Sequence, residues 1–233
     1  SKPGLSVVEH LLAVRAVAKK LTGFLPKVWH GKLCNFIDVC SSLHDIGKVS
    51  PGFQKKLVDV CIELPKVFDK ISSLPIGYES DHCKVGRSAI RELPFSDEVR
   101  KQIEWLVGSH HGFIRRQPPC SGRRWQAAGG VAWALEREKL IDQVFSELDF
   151  TSLDSLSPEE LYVVTGLVVV SDWIGSDEVV FSPESVRSDT TYDDLAEKAV
   201  SACGFRKPNI LKGKSFTDVF GFEPFTHQLD FID

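Results

Sequence analysis

Five histidines and two aspartates stand where apolar helical patterning ends or turns inward. His44-Asp45 closes an apolar stretch and runs into Ile46-Gly47-Lys48. His110-His111 closes another stretch, just before Gly112. His82 follows Asp81 near the start of a helical pattern. His10 shares a face with Val7, Val14 and Val17, which is an inward face. Asp172 follows an apolar run and precedes Trp173 and Ile174.

Adjacent residues on a helix point about 100° apart. At a helix end two neighbouring side chains can still converge on a pair of metal ions from different sides. A carboxylate shared by two metals and ringed by imidazoles is how a two-metal hydrolytic site is built. Histidine-rich coordination favours transition metals over Mg, which prefers oxygen ligands. The expected cofactors are two divalent transition-metal ions, with Mn, Fe, Co or Ni ahead of Mg or Zn. Singly these residues say less. Asp172 alone reads more readily as a helix-end carboxylate facing solvent or pairing with an arginine, and His10 alone as an ordinary core or surface histidine. Their ordered occurrence along one chain carries the signal. His30 and His227 fit no part of it.

Arg115, Arg116, Arg123, Arg124 and Trp125 directly follow His111, with Phe113 between. Cations track a phosphate backbone and aromatics stack on unpaired bases, which suits single-stranded nucleic acid. A solvated charged loop explains the same residues equally well.

The elements that must position these groups are helical. Val7, Leu11, Val14 and Ala18 recur at helical spacing. Further helices are predicted over residues 33–46, 81–92, 96–112 and 125–148. Ser157-Pro158-Glu159-Glu160 is a capping box with Pro at the first helical position. It predicts a helix through Val163, Val164 and Val168 to Val170, a run that looks like a strand by composition. A last helix covers Asp193 to Cys203, closed by Gly204. The fold class expected is all-α.

Composition bounds the rest. The chain has 233 residues, 42% hydrophobic and 26% charged, with net charge −4. That excludes a disordered tail and a generally basic nucleic-acid coat, so any nucleic-acid site must be a local patch. The six cysteines form no CxxC pair and read as reduced thiols in a cytoplasmic protein. No signal peptide is evident, and Leu161 to Val170 is too short to span a bilayer. The absence of Met points to a processed chain or a fragment.

The sequence resembles the HD superfamily of metal-dependent phosphohydrolases, and within it the HD nuclease domain of the CRISPR-associated helicase-nuclease of type I systems. The segments that carry the resemblance are Glu9-His10-Leu11, His44-Asp45-Ile46-Gly47-Lys48, His82 with Gly86, Ser109-His110-His111-Gly112 and Ser171-Asp172-Trp173. The resemblance implies an HD-domain helical bundle with a metal site between helices. It implies one metal on His10, His44, Asp45 and Asp172, and a second on Asp45, His82, His110 and His111. Asp45 would be the bridge, and Lys48 would orient a phosphate or hydroxide. The implied function is metal-dependent cleavage of single-stranded DNA, endonucleolytic and possibly exonucleolytic. The implied partners are a helicase in the same polypeptide and a guide-RNA surveillance complex, with no membrane. Two alternatives stay open: a phosphohydrolase acting on nucleotides or cyclic nucleotides, and a metal-binding structural or sensing domain.

Residues 1–203 are read as the nuclease domain. Residues 204–233 are Gly-, Pro- and Phe-rich with little helical period, and read as a linker or tail leading towards a helicase core absent from this chain. The alternative for that segment is a tail folded against its own domain.

Overall fold

A computed structural model describes residues 4–60, 77–91, 93–112, 126–146, 148, 152–206 and 215–225. Among these the chain is helical and has no β-strand, in line with the all-α expectation.

Helix α1 (Val7–Thr22) starts at a capping box: Ser6 Oγ accepts the Glu9 N–H, and Glu9 Oε2 accepts the Ser6 N–H. Two orphan donors are satisfied in this way before the apolar face begins. Leu11, Val14, Val17, Ala18 and Leu21 of that face are buried. Helix α2 (His30–Leu43) buries Leu33, Phe36, Ile37, Cys40 and Leu43. Burying side chains such as Phe36 is worth roughly 1.5–3 kcal/mol each. A 3-10 turn at Ile46–Lys48 leads to α3 (Pro51–Val60), which the sequence pattern did not reveal. Helices α4 (His82–Ile90) and α5 (Asp97–Ser109) pack against each other. Helix α6 is Gly130–Phe145 and α7 is Pro158–Gly175. Short α8 (Pro183–Val186), α9 (Tyr192–Ala202) and α10 (Phe216–Phe220) follow.

The valine-rich run is helical, as its cap predicts. Ser157 Oγ accepts the Glu160 N–H, and Glu160 returns a carboxylate to the Ser157 N–H. Val164 and Val168, four residues apart, are both buried. Helix α7 packs on α1 and on α2 and contributes to both apolar clusters. One gathers α2, α5 and the middle of α7 around Phe36, Ile103 and Val168. The other gathers α1, α9 and the end of α7 around Val17, Ile174 and Leu195.

Three expectations need correction. The helix expected to reach Ile46 stops at Leu43, because Asp45 adopts φ −107°, ψ 11° and swings its carboxylate off the helical line. The helix expected to reach Gly112 stops at Ser109, with His110 as its cap and Gly112 at φ +79°. The continuous helix expected over 125–148 is broken at Gly129, whose φ is +99°. A β-carbon there would also lie 2.4 Å from the Trp133 ring. In the C-terminal segment, Ser215 caps a short helix, and Phe216, Phe220, Phe222 and Phe225 pack ring against ring.

Candidate metal centre

The sequence-selected residues of the described chain converge on one point. The second turn of α1 supplies His10. The end of α2 and the turn beyond it supply His44 and Asp45. The first residue of α4 is His82, held there because Asp81 caps the helix through its side chain and the Cys83 N–H. The cap of α5 and the turn after it supply His110 and His111, and the last turn of α7 supplies Asp172. His44, Asp45, His110 and Asp172 are buried.

Two of the imidazoles are aimed by helix ends. The His44 Nδ1–H donates to the Ser41 carbonyl at 2.8 Å, and the His110 Nδ1–H donates to the Val107 carbonyl at 2.8 Å. Carbonyls in a last helical turn lack intrahelical partners. A carbonyl can only accept, so each Nδ1 carries the proton and each Nε2 faces the centre.

Asp45 divides its oxygens. Oδ2 lies 3.1 Å from His10 Nε2 and 3.4 Å from His44 Nε2. Oδ1 lies 3.3 Å from His82 Nε2 and 3.5 Å from His110 Nε2. Asp172 Oδ1 closes the first side, 3.2 Å from His10 and 3.4 Å from His44. His111 Nε2 closes the second, 2.9 Å from His82 Nε2. Lys48 Nζ pairs with Asp45 Oδ2 and sits over the Phe53 ring. His30 lies apart, bonded to the Leu25 carbonyl.

These donors fit metal ions. His10 Nε2, His44 Nε2, Asp45 Oδ1 and His110 Nε2 are buried without a hydrogen-bond partner, a costly state that a cation would relieve. Donor atoms of His10, His44, Asp45 and Asp172 lie within 4.8 Å of one another, and so do those of His82, Cys83, His110 and His111.

The two groups differ electrostatically. In the first, burial would push the His44 imidazole down, but the charge of Asp45 and contacts with Asp172 outweigh it and raise its pKa to about 10. Burial would raise Asp45 and Asp172; the surrounding imidazoles reverse this and hold both carboxylates ionised. In the second group burial dominates, lowering His82 to about 4 and lowering His111 as well. Both are neutral imidazoles at pH 7, with a lone pair ready for a cation.

The sequence pattern missed Cys83, which shares the first turn of α4 with His82. Its adjacency to a candidate ligand was the available signal. It also missed Arg137, a buried residue of α6 that donates to the Val49 and Ala128 carbonyls and so braces the chain after Lys48. Arg115, Arg116, Arg123, Arg124 and Trp125 lie outside the described residues. No described helix is long and apolar enough to cross a membrane.

Residues 1–181 match the family model described as "Cas3, HD domain". A curated relative, the CRISPR-associated nuclease/helicase Cas3 of Streptococcus thermophilus, is 24% identical over 223 residues, covering 81% of this chain and 24% of the relative. The chain thus spans about a quarter of that relative's length. The crystal structure of T. fusca Cas3 with ATP aligns with TM-score 0.68 at 23% identity, over 92% of this chain and 27% of that one. The crystal structure of the Thermus thermophilus cas3 HD domain in the presence of Ni2+ aligns with TM-score 0.57 at 20% identity, over 85% of this chain and 84% of that domain.

Proposed function

Since the chain belongs to the Cas3 HD-domain family, we propose that it is the nuclease part of a helicase-nuclease and hydrolyses single-stranded DNA at a two-metal centre. The observation that carries this reading is the division of Asp45, with one oxygen towards His10 and His44 and the other towards His82 and His110. His10, His44, Asp45 and Asp172 would hold one divalent ion, and Asp45, His82, His110 and His111 the other. Mn, Fe, Co or Ni suit the imidazole-rich set. Such ions supply an activated water and neutralise phosphate charge.

The chain's own residues have distinct tasks in this reading. Asp45 fixes the spacing of the two donor groups. His44 and His110 are held in one tautomer by helix-end carbonyls, so their Nε2 atoms need no reorientation. Lys48, about a quarter exposed beside Asp45, would meet a phosphate oxygen from the solvent side. Arg115, Arg116, Arg123, Arg124 and Trp125 would track and stack the single strand. The partners proposed are a helicase that continues the same polypeptide and a guide-RNA surveillance complex that recruits it. With net charge −4, the domain would depend on such partners to bring DNA to it.

The test uses metal-depleted protein reloaded with single divalent metals. Circular single-stranded DNA has no ends, so its cleavage reports endonuclease activity. Asp45→Ala should abolish cleavage and lower metal content while keeping the helical circular-dichroism signal. Near-normal cleavage by Asp45→Ala overturns the two-metal assignment. Turnover of deoxynucleotides with intact circular DNA would mean a nucleotide phosphohydrolase instead. Replacing Arg115, Arg116, Arg123 and Arg124 by Ala should weaken single-strand binding and flatten its salt dependence, with hydrolysis of a small phosphodiester little changed.

A further inference from the structure

We propose that Cys83 is a sulfur donor in the second group, making that group a seat for thiophilic cations such as Zn2+ or Cd2+. This rests on the metal reading above and extends it to a residue outside the ordered His/Asp set.

Cys83 follows His82 on the first turn of α4, and its N–H donates to Asp81 Oδ1 at 3.1 Å, which fixes that turn. Its Sγ lies 3.8 Å from His82 Nε2. A tetrahedral zinc ion, with Zn–S about 2.3 Å and Zn–N about 2.0–2.1 Å, separates sulfur and nitrogen ligands by about 3.6 Å. The donor atoms of His82, Cys83, His110 and His111 all lie within 4.8 Å of one another. His110 Nε2 is buried there without a hydrogen-bond partner. A cavity of about 300 Å³, lined by His82, Cys83 and His111 with Lys56 at its side, gives an ion a path to them.

The two groups differ in softness. The first has two buried carboxylates and no sulfur. The second shares the Asp45 carboxylate and adds three imidazoles and a thiol, a softer donor set that favours zinc or cadmium over manganese or magnesium. Binding through Cys83 releases the thiol proton to solvent as the metal–sulfur bond forms. Cys83 therefore sets which cation the second group retains.

The test loads the metal-free 233-residue chain with two equivalents of Co2+. A near-ultraviolet thiolate-to-cobalt charge-transfer band is expected, and Cys83→Ser should lose it while still holding two ions. The preference for Zn2+ over Mn2+ at the second ion should fall about tenfold or more in Cys83→Ser. In the unmutated chain Zn2+ should protect Cys83 from iodoacetamide, mapped by peptide mass spectrometry, without protecting the exposed Cys203; this arm does not need the variant to fold. Two bound cobalt ions with no thiolate band, a band that survives Cys83→Ser, or Cys83 alkylated equally with and without zinc would each overturn the proposal and leave the Asp45-centred reading intact. A chain that binds no divalent ion overturns both.

Discussion

Gly47 lies against the first turn of α4 so closely that a β-carbon on it would sit 1.8 Å from the His82 carbonyl oxygen and 2.5 Å from the Gly86 N. This contact seats the turn that carries Asp45 directly on the helix that carries His82. Both obstacles are backbone, so neither can rotate away. Gly47→Ala should therefore force the two elements apart. We expect a loss of at least about 1–3 kcal/mol in urea unfolding, together with loss of bound metal. Wild-type metal content in Gly47→Ala would show that the contact does not set the spacing of the centre.

Arg15 of α1 and Asp38 of α2 form a two-point pair, with Nε to Oδ1 at 2.8 Å and a second guanidinium nitrogen to Oδ2 at 3.3 Å. Arg15 is buried and Asp38 nearly so. Among the described residues, Arg15→Ala leaves the Asp38 carboxylate with Lys19, 3.9 Å away, as its remaining cation. The cost expected is about 2–3 kcal/mol, at or below the lower end for breaking a buried pair. Metal content per folded molecule should be unchanged, because neither residue touches the centre. Loss of metal at full helicity would contradict that separation.

His30 tests the boundary of the centre from the other side. Its Nε2 bonds the Leu25 carbonyl at 2.9 Å, at the start of α2. His30→Ala should cost about 0.5–1.5 kcal/mol for one hydrogen bond and leave cleavage and metal binding intact. A large loss of activity at unchanged stability would mean that the site extends beyond the His/Asp set.

Acid should remove the link between α1 and the turn after α8. The Arg187 guanidinium bonds Glu9 at 2.7 and 2.9 Å and, against the opposing effect of burial and with help from Ser6, holds its carboxyl at about 2 instead of the usual 4.5. The folded pKa is depressed, so the contribution is complete above about pH 4.5 and is lost as pH falls towards 2. Arg187 is more than half exposed, so solvent screening keeps the effect small. The stability gap between wild type and Arg187→Ala should be measurable at pH 7 and shrink by pH 2.5. A gap constant across that range would assign it to packing.

The sequence made the site legible where the signal was local. The Ser157 cap outweighed the strand-like composition of Val168 to Val170, because satisfying helix-end donors is a short-range matter. His44-Asp45 and His110-His111 were visible as polar pairs ending apolar helices. What stayed hidden depends on pairings distant in the chain. Gln102 clamps Leu156 through both its carbonyl and its N–H, and nothing near either residue announces it. Cys83 gains meaning only once α4 lies beside the end of α5. The break at Gly129 was missed because helical spacing continues on both sides of it, and only the positive φ reveals the turn.

The division of Asp45 has a thermodynamic consequence. One carboxylate cannot change its charge distribution or rotate on one side without altering what the other side meets. Two ions seated across it would not load independently: the first would change the affinity for the second by some factor, and linkage requires the second to change the first by the same factor. Like charges brought close repel, while a carboxylate already oriented by one ion lowers the ordering cost for its neighbour. The sign of cooperativity in a metal titration would measure which of these prevails, and Asp45→Asn should abolish much of it even where single-ion binding survives.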